Sequence, residues 1–140
     1  MSDIITNSQE ETINLAKEYI TTLKGNVLGL IGDLGTGKTV FTQGLAKELG
    51  VKEIVKSPTF VLMKVYDTNH KVIKKLVHVD AYRLTNAQEL IDIGLTEYLN
   101  KKDTLVVIEW ADKVKDFLPK ETIMINFKEG NNINQRIINI

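Results

Sequence analysis

The chain has 140 residues, of which 43% are hydrophobic, and this length predicts a single domain, residues 1–140, with a core of its own. Eighteen basic residues balance eighteen acidic ones, which excludes a protein that grips a nucleic-acid backbone through its own positive field. The lack of cysteine excludes thiolate zinc sites, and no apolar stretch approaches the ~20 residues of a membrane span. The first residues lack signal-peptide features, so we expect a cytoplasmic protein.

The first predicted elements are a helix and a buried strand. Ser8 and Glu11 have the spacing of a capping box, and apolar residues recur after them at helical intervals as far as Gly25. The apolar run at residues 27–31 then predicts a core strand.

Residues 32–39 follow this strand and match the P-loop pattern G-x-x-x-x-G-K-[ST] without a mismatch. The apolar residues of a predicted helix come next, and Gly50 closes it. In such a loop, glycines let backbone N–H groups point at phosphate oxygens at the start of a helix. Lys38 would reach the outer phosphates, and the hydroxyl of Thr39 would hold Mg²⁺. The sequence therefore predicts a nucleotide-phosphate site.

The middle of the chain predicts an antiparallel hairpin. Two runs of β-forming residues, 60–66 and 72–79, are separated by a polar turn at residues 67–70. The preceding segment, residues 57–59, lies where other P-loop proteins have a switch that senses the γ-phosphate. Asp80 follows the second run, where it could bind the metal through water or orient the attacking water. The alternative is a residue that only ends the strand in a turn.

A second capping box, Thr85 with Gln88, predicts a short helix that breaks at Gly94. Residues 105–108 form a continuous apolar run, typical of a strand buried on both faces, and Glu109 follows it. Ligands of open α/β sheets gather at the carboxyl ends of parallel strands. Glu109 therefore has the position of a Walker B carboxylate, although an ordinary acidic residue at a strand end is the alternative.

The remaining patterns complete the predicted fold. Residues 114–118 indicate one helical turn, and two last strands are joined by a polar turn at residues 129–132. Trp110 would lie beside the metal if Glu109 holds it, and the alternative is a half-buried aromatic residue without such a role. His78, a lone histidine in a strand, is interpreted as a core residue. We predict an α/β fold, a P-loop NTPase-like three-layer sandwich whose mixed sheet carries antiparallel hairpins.

Taken together, four segments resemble the bacterial TsaE family, formerly called YjeE: residues 32–39, 57–59, 78–84 and 108–110. They occur in order over nearly the whole chain. The resemblance implies a P-loop ATPase that serves the complex attaching threonylcarbamoyl to the adenosine next to the anticodon of certain transfer RNAs. It also implies that the chain is not the transferase itself.

The same resemblance implies roles for individual residues. Lys38, Asp80 and Glu109 would be catalytic, and Thr39 and Glu109 would hold Mg²⁺. Thr6 and Arg136 would lie near the base or ribose of ATP. The complete set of implied nucleotide contacts is Thr6, Asp33, Leu34, Gly35, Thr36, Gly37, Lys38, Thr39, Thr59, Trp110 and Arg136.

The implied partners are the TsaB–TsaD pair, with transfer RNA reached only through them, and the chain alone is expected to be a monomer or weak oligomer. Its only arginines are Arg83 and Arg136, so candidates for an arginine finger, worth roughly 10³ or more in rate, are few. We therefore expect a slow ATPase that awaits a partner. Two alternatives remain: a small-molecule kinase, and a nucleotide-gated binding module that does not hydrolyse.

Overall fold

The computed structural model describes residues 2–58 and 62–140. Thr59, predicted to contact the nucleotide, and the first residues of the predicted strand 60–66 lie outside these ranges. Within them, one sheet contains seven strands in the order β1-β7-β6-β2-β5-β4-β3. The strands are β1 (Asp3–Thr6), β2 (Val27–Ile31), β3 (Met63–Asp67), β4 (Lys75–Asp80), β5 (Thr104–Glu109), β6 (Ile123–Glu129) and β7 (Arg136–Asn139).

The sheet is parallel in its centre and antiparallel at its edges. β2 pairs in parallel with β5 and β6, and β5 pairs in parallel with β4. The hairpins β3–β4 and β6–β7 and the pairing of β1 with β7 are antiparallel. The predicted mixed sheet with antiparallel hairpins is therefore confirmed.

Helices cover both faces of this sheet. They are α1 (Gln9–Thr21), α2 (Lys38–Leu49), α3 (Gln88–Asp92) and α4 (Thr96–Leu99), with a 3₁₀ helix at Ala111–Phe117. On one face, Phe41 and Leu45 of α2 join the core cluster of Leu28 and Val107. On the other, Leu90 packs in a second cluster with β-strand valines and the residues around α4. Two apolar cores on opposite faces confirm the three-layer sandwich.

α1 and α2 cross closely at Gly44. A Cβ atom at this position would lie 2.6 Å from the carbonyl oxygen of Ile13 and 2.7 Å from Cβ of Ala16. Side chains do not tolerate such distances, so only glycine lets the two helices approach this closely. α1 begins as predicted, because Ser8 Oγ accepts a hydrogen bond from the N–H of Glu11 at 3.1 Å.

Two local predictions are wrong. β4 begins at Lys75, not at residue 72, because Nδ1 of His70 accepts hydrogen bonds from the N–H groups of Val72 and Ile73. These two N–H groups are therefore hydrogen-bonded within the loop between β3 and β4. This loop spans residues 68–74 instead of the predicted 67–70.

The predicted cap at Thr85 is the second error. α3 begins at Gln88, whose N–H donates to Oδ1 of Asn86 at 2.9 Å, while the N–H of Thr85 donates to Oε2 of Glu89 at 3.0 Å. The Asn86 side chain forms a local turn that delays the start of the helix. Spacing alone placed the N-cap at Thr85, two residues before the observed N-cap at Ala87.

Candidate functional site

Three parallel strands bring the predicted catalytic segments to one edge of the sheet. β2 leads into the P-loop, β5 ends at Glu109, and β4 ends at Asp80, which is directly opposite Glu109 in the register. Because carboxyl ends of neighbouring parallel strands lie together, both carboxylates stand beside the P-loop. This is the position that the sequence predicts for them.

The P-loop presents the start of α2 to the cleft. Gly37, at the N-cap, has φ 103°, a conformation that glycine adopts without the strain of other residues, and no side chain caps the helix. Thr36 Oγ1 donates to the carbonyl of Asp33 at 2.7 Å, which closes the turn from inside. The first N–H groups of α2 are thus left without a side-chain acceptor at the positive end of the helix, which favours an anion.

Lys38 is held against the loop that precedes it. Its side chain is 4% exposed, and Nζ donates to the carbonyls of Gly32 and, at 2.8 Å, of Asp33. Nζ also lies 4.2 Å from the ring centroid of Trp110, within cation–π range. Burial lowers the pKa of Lys38, and the carboxylate of Glu109 is the strongest opposing influence. A buried ammonium at this position is well suited to a negatively charged ligand.

Trp110 is held in an unusual backbone conformation. Among the described residues other than glycine, it alone has a positive φ, 60° with ψ 40°. Such left-handed geometry costs roughly 1–2 kcal/mol for a residue with a side chain. Its ring contacts Tyr82, with centroids 4.9 Å apart, on the same wall of the cleft. Residues held in strained conformations cluster at functional sites, and this one follows Glu109 directly.

Glu109 is the centre of a buried polar contact network. It is 3% exposed, and Thr39 Oγ1 lies 3.0 Å from each of its carboxylate oxygens. Nε2 of His78 lies 2.5 Å from Oε2 of the same carboxylate. A hydroxyl and a carboxylate side by side are oxygen ligands of the kind that Mg²⁺ prefers.

Asp80 is held separately from Glu109. Its Oδ2 accepts a hydrogen bond from Ser57 Oγ at 2.7 Å, and its Oδ1 accepts one from the N–H of Tyr82 at 2.9 Å. The contact with Ser57 joins this carboxylate to the segment that the sequence predicts to be a switch. Asp80 is therefore oriented by groups that do not touch Glu109.

A cleft of about 460 Å³ opens in front of these groups. This volume is within the range of small-molecule sites, about 300–1,000 Å³. The lining includes these residues predicted from the sequence: Leu34, Gly35, Gly37, Lys38, Thr39, Ser57, Asp80, Glu109, Trp110 and Arg136. The structure thus brings most of the predicted site residues together around one space.

Three other predicted residues, Thr6, Asp33 and Thr36, are not among the described residues that line the cleft. The Asp33 carbonyl and the buried Thr36 hydroxyl brace the loop from within. Thr6 is buried, and its hydroxyl hydrogen-bonds to that of Thr12 at 2.7 Å, so Thr12 and not Thr6 reaches the cleft. Contact of Thr6 with base or ribose stays a prediction. In the structure Thr6 is hydrogen-bonded to Thr12, which lines the cleft.

The sequence did not predict a role in the site for four polar residues of the lining. Ser8, Gln9 and Thr12 come from the start of α1, and Asn134 comes from the β6–β7 turn. The capping box at Ser8 locates the start of α1, but no local pattern places that start opposite the P-loop. Arg136, which was predicted, lies beside them with Nη1 donating to the carbonyls of Ile133 and Gln135.

Comparison with known proteins identifies the family. The family described as threonylcarbamoyl adenosine biosynthesis protein TsaE matches residues 6–138. This chain belongs to the TsaE family. TsaE of Rickettsia bellii is 42% identical over 129 residues, 91% of this chain and 86% of the relative, and TsaE of Bacillus subtilis is 41% identical over 126 residues, 89% and 76%. Both carry the name tRNA threonylcarbamoyladenosine biosynthesis protein.

The fold agrees with that of a solved relative. The crystal structure of Bacillus subtilis YdiB is similar with a TM-score of 0.78 and 35% identity, covering 98% of this chain and 82% of that one. This likeness confirms the predicted P-loop-like architecture of the TsaE-family chain. None of the helices in residues 2–58 and 62–140 has the length and apolar character needed to cross a membrane.

Proposed function

We propose that this TsaE-family chain is a Mg²⁺-dependent ATPase that serves the complex attaching threonylcarbamoyl to the adenosine next to the anticodon of certain transfer RNAs. The observation that carries the proposal is the contact of Thr39 Oγ1 with both carboxylate oxygens of Glu109. It joins the start of the P-loop helix to the end of β5, as expected for two groups that share a metal ion. The names of the family and of its relatives support the pathway.

The site fits the phosphates of ATP. The start of α2 has no side-chain cap, and the buried Lys38 ammonium stands beside it. Both features favour an anion, since unpaired N–H groups and a cation desolvated together attract phosphate strongly. We assign Lys38 to the outer phosphates and residues 33–39 to the cradle around them.

The donor set also fits Mg²⁺. Among residues 2–58 and 62–140 no group of three His, Cys, Asp or Glu side chains could hold a metal. Mg²⁺ in phosphate sites needs only one or two protein oxygens, because phosphates and waters complete its octahedron. Thr39 and Glu109 would be these two ligands. When bound, Mg²⁺ would offset the charge that develops on the transferred phosphoryl group.

Three residues of the chain would then have separate roles in hydrolysis. Asp80, oriented by Ser57 and by the N–H of Tyr82, would position the attacking water and receive its proton. Lys38 would stabilise the negative charge of the outer phosphates. Trp110 would cover the ammonium side of the site and limit the access of bulk water.

The chain alone should be slow. Nη1 of Arg136 already donates to two loop carbonyls, so this nitrogen is not available to a developing negative charge. A partner could supply the missing donors or close the cleft. We propose that the TsaB–TsaD pair does so, that ATP favours docking to this pair, and that hydrolysis resets the complex. Such coupling requires that ATP have unequal affinity for the docked and free states.

The test measures steady-state phosphate release by the chain alone, with the TsaB–TsaD pair, and with transfer RNA alone, alongside multiple-turnover modification of the RNA. We expect stimulation by the protein pair only. Thr39→Ala should reduce both the stimulation and the support of modification, whereas Thr96→Ala, an exposed threonine at the start of α4, should behave as wild type. Stimulation by RNA without the pair, or full modification with Thr39→Ala, would contradict the proposal.

Binding can be followed independently of turnover. Trp110 is the single tryptophan, and its ring lies against Lys38, so its fluorescence reports on the site. ATP with Mg²⁺ should change this emission when Lys38 turns towards phosphate. Calorimetric binding of ATP with unchanged emission would argue against this placement.

A further inference from the structure

Among the buried titratable side chains in residues 2–58 and 62–140, the proposed mechanism uses Lys38 and Glu109 but gives His78 no task. It lies in β4 two residues before Asp80, and its exposed fraction is 0%. Nε2 lies 2.5 Å from Oε2 of Glu109, while Nδ1 has no hydrogen-bond partner among the described residues. A buried imidazole with one unpaired nitrogen is a poor choice for packing alone, because an apolar side chain would fill the space without that cost.

The register of the sheet explains how the contact arises. His78 is opposite Val107 in the parallel pairing of β4 with β5, so Glu109 lies two residues further along the neighbouring strand. Residues two apart in a strand project from the same face. The imidazole and the carboxylate therefore lie on one face of the sheet. His78 is not among the described residues that line the cleft, while Thr39 contacts the same carboxylate from the start of α2.

We propose that His78 is a positioning residue: it donates a hydrogen bond from Nε2 to Glu109 and so fixes the carboxylate that, with Thr39, binds the metal ion. An ionised carboxylate only accepts hydrogen bonds, so the imidazole must carry its hydrogen on Nε2. This bond occupies one lone-pair direction of Oε2 and prevents rotation of the carboxylate. The other lone pairs of the carboxylate remain directed at Thr39 and the cleft. Partners of this kind commonly change metal affinity by about 10–100-fold.

This inference rests on the proposed function, because it concerns the same metal site. Its first test nevertheless needs neither ATP nor metal. Long-range ¹H–¹⁵N NMR of the wild-type imidazole distinguishes which ring nitrogen carries the hydrogen. We expect the Nε2–H form for His78, and an imidazole with its hydrogen on Nδ1 alone would overturn the proposal, since it could not donate to Glu109.

The second test uses a matched pair of amide variants. In His78→Gln the side-chain NH₂ can reach the place of Nε2, whereas in His78→Asn it reaches only the place of Nδ1. ATP affinity is measured by calorimetry in EDTA and across a Mg²⁺ titration, and Mn²⁺ binding to the ATP-loaded protein is measured by electron paramagnetic resonance. His78→Asn should weaken metal binding by about 10–100-fold and leave ATP affinity in EDTA unchanged. His78→Gln should recover most of the metal affinity.

Each result is decisive. A residue that only fills space would give equal losses in EDTA and in Mg²⁺, or equal losses in both variants, and either outcome would overturn the proposal. Wild-type metal affinity in His78→Asn would do the same. If His78→Asn does not fold, the proposal is decided by two other results: which ring nitrogen of wild-type His78 carries the hydrogen, and the metal affinity of His78→Gln. If wild-type protein does not bind Mg–ATP, both the proposed function and this inference are wrong. If wild type binds Mg–ATP and the His78 variants bind metal equally well, only this inference is wrong.

Discussion

The two ends of the cleft are built on different principles. The end that we propose holds the phosphates, here called the phosphate end, is formed by Lys38, Thr39, Asp80, Glu109 and Trp110. Lys38 and Glu109 are buried there, Asp80 is half-buried, and short contacts fix all three side chains. The end that we propose holds the nucleoside, here called the nucleoside end, is formed by Ser8, Gln9, Thr12, Asn134 and Arg136. Its lining comes from opposite ends of the chain, and Gln9 and Asn134 are exposed. The comparison suggests that the phosphate end contributes most of the affinity and all of the chemistry.

The sharpest division within the phosphate end is between its two carboxylates. Asp80→Asn should reduce turnover by about 10²–10⁴-fold, the usual contribution of a general base, with little change in ATP affinity. Glu109→Gln should weaken Mg²⁺-dependent binding as well as turnover. Single-turnover kinetics and calorimetry separate the two effects. Exposed Glu97→Gln in α4 is the control, and equal affinity losses in both site variants would remove the distinction.

Lys38→Ala should reduce kcat/KM by about 10²–10³-fold, the usual cost of losing one donor to developing charge. Thr39→Ala should cost less, because the phosphates and waters still hold part of the metal shell. Lys47→Ala, an exposed lysine in the last turn of the same helix, controls for a general change in charge. Full Mg²⁺-dependent turnover in either site variant would mean that the phosphates bind elsewhere.

The nucleoside end should respond much more weakly. Arg136→Met should weaken ATP binding by a factor of about 2–5, as expected for a half-buried side chain that contributes one weak contact. It should also reduce any preference for ATP over GTP, measured by competition. Lys128→Met on the neighbouring strand β6 is the control. A loss as large as that of Lys38→Ala would reverse the comparison between the two ends.

The smallest effect concerns stability and pH. Burial lowers the pKa of Lys38 below its ordinary value of 10.5, so just below that value the unfolded chain binds more protons than the folded one. The free energy of unfolding should therefore gain from this residue as pH rises through the lowered pKa towards 10.5. The free energy of unfolding, measured in urea at several pH values across this range, should increase with pH more for wild type than for Lys38→Met. An equal dependence on pH in the two proteins would contradict a lowered pKa of Lys38.

The sequence was informative where function depends on neighbours in the chain. The P-loop, Asp80 and Glu109 could be predicted because each follows an apolar strand within a few residues, and parallel strands bring such positions together. β1 could not be predicted, since its pairing joins Asp3 to Asn139 across almost the whole chain. Most of the nucleoside end was missed for the same reason.

His78 shows a second limit of sequence reasoning. A lone histidine in a strand is usually a core residue, and nothing local contradicts that interpretation. The available signal was the alternation of His78 and Asp80 on one face of β4, next to the strand that ends at Glu109. Using it requires the order of the strands, which the sequence pattern did not provide.

The close crossing at Gly44 has a consequence for both ends of the cleft. α1 carries Thr12 and α2 carries Thr39, so the contact between these helices acts as a spacer that sets how far apart the two ends stand. A methyl group at residue 44 would meet the backbone of Ile13 and force the helices to separate. The distance between the two ends of the cleft therefore depends on Gly44, a residue that does not line the cleft.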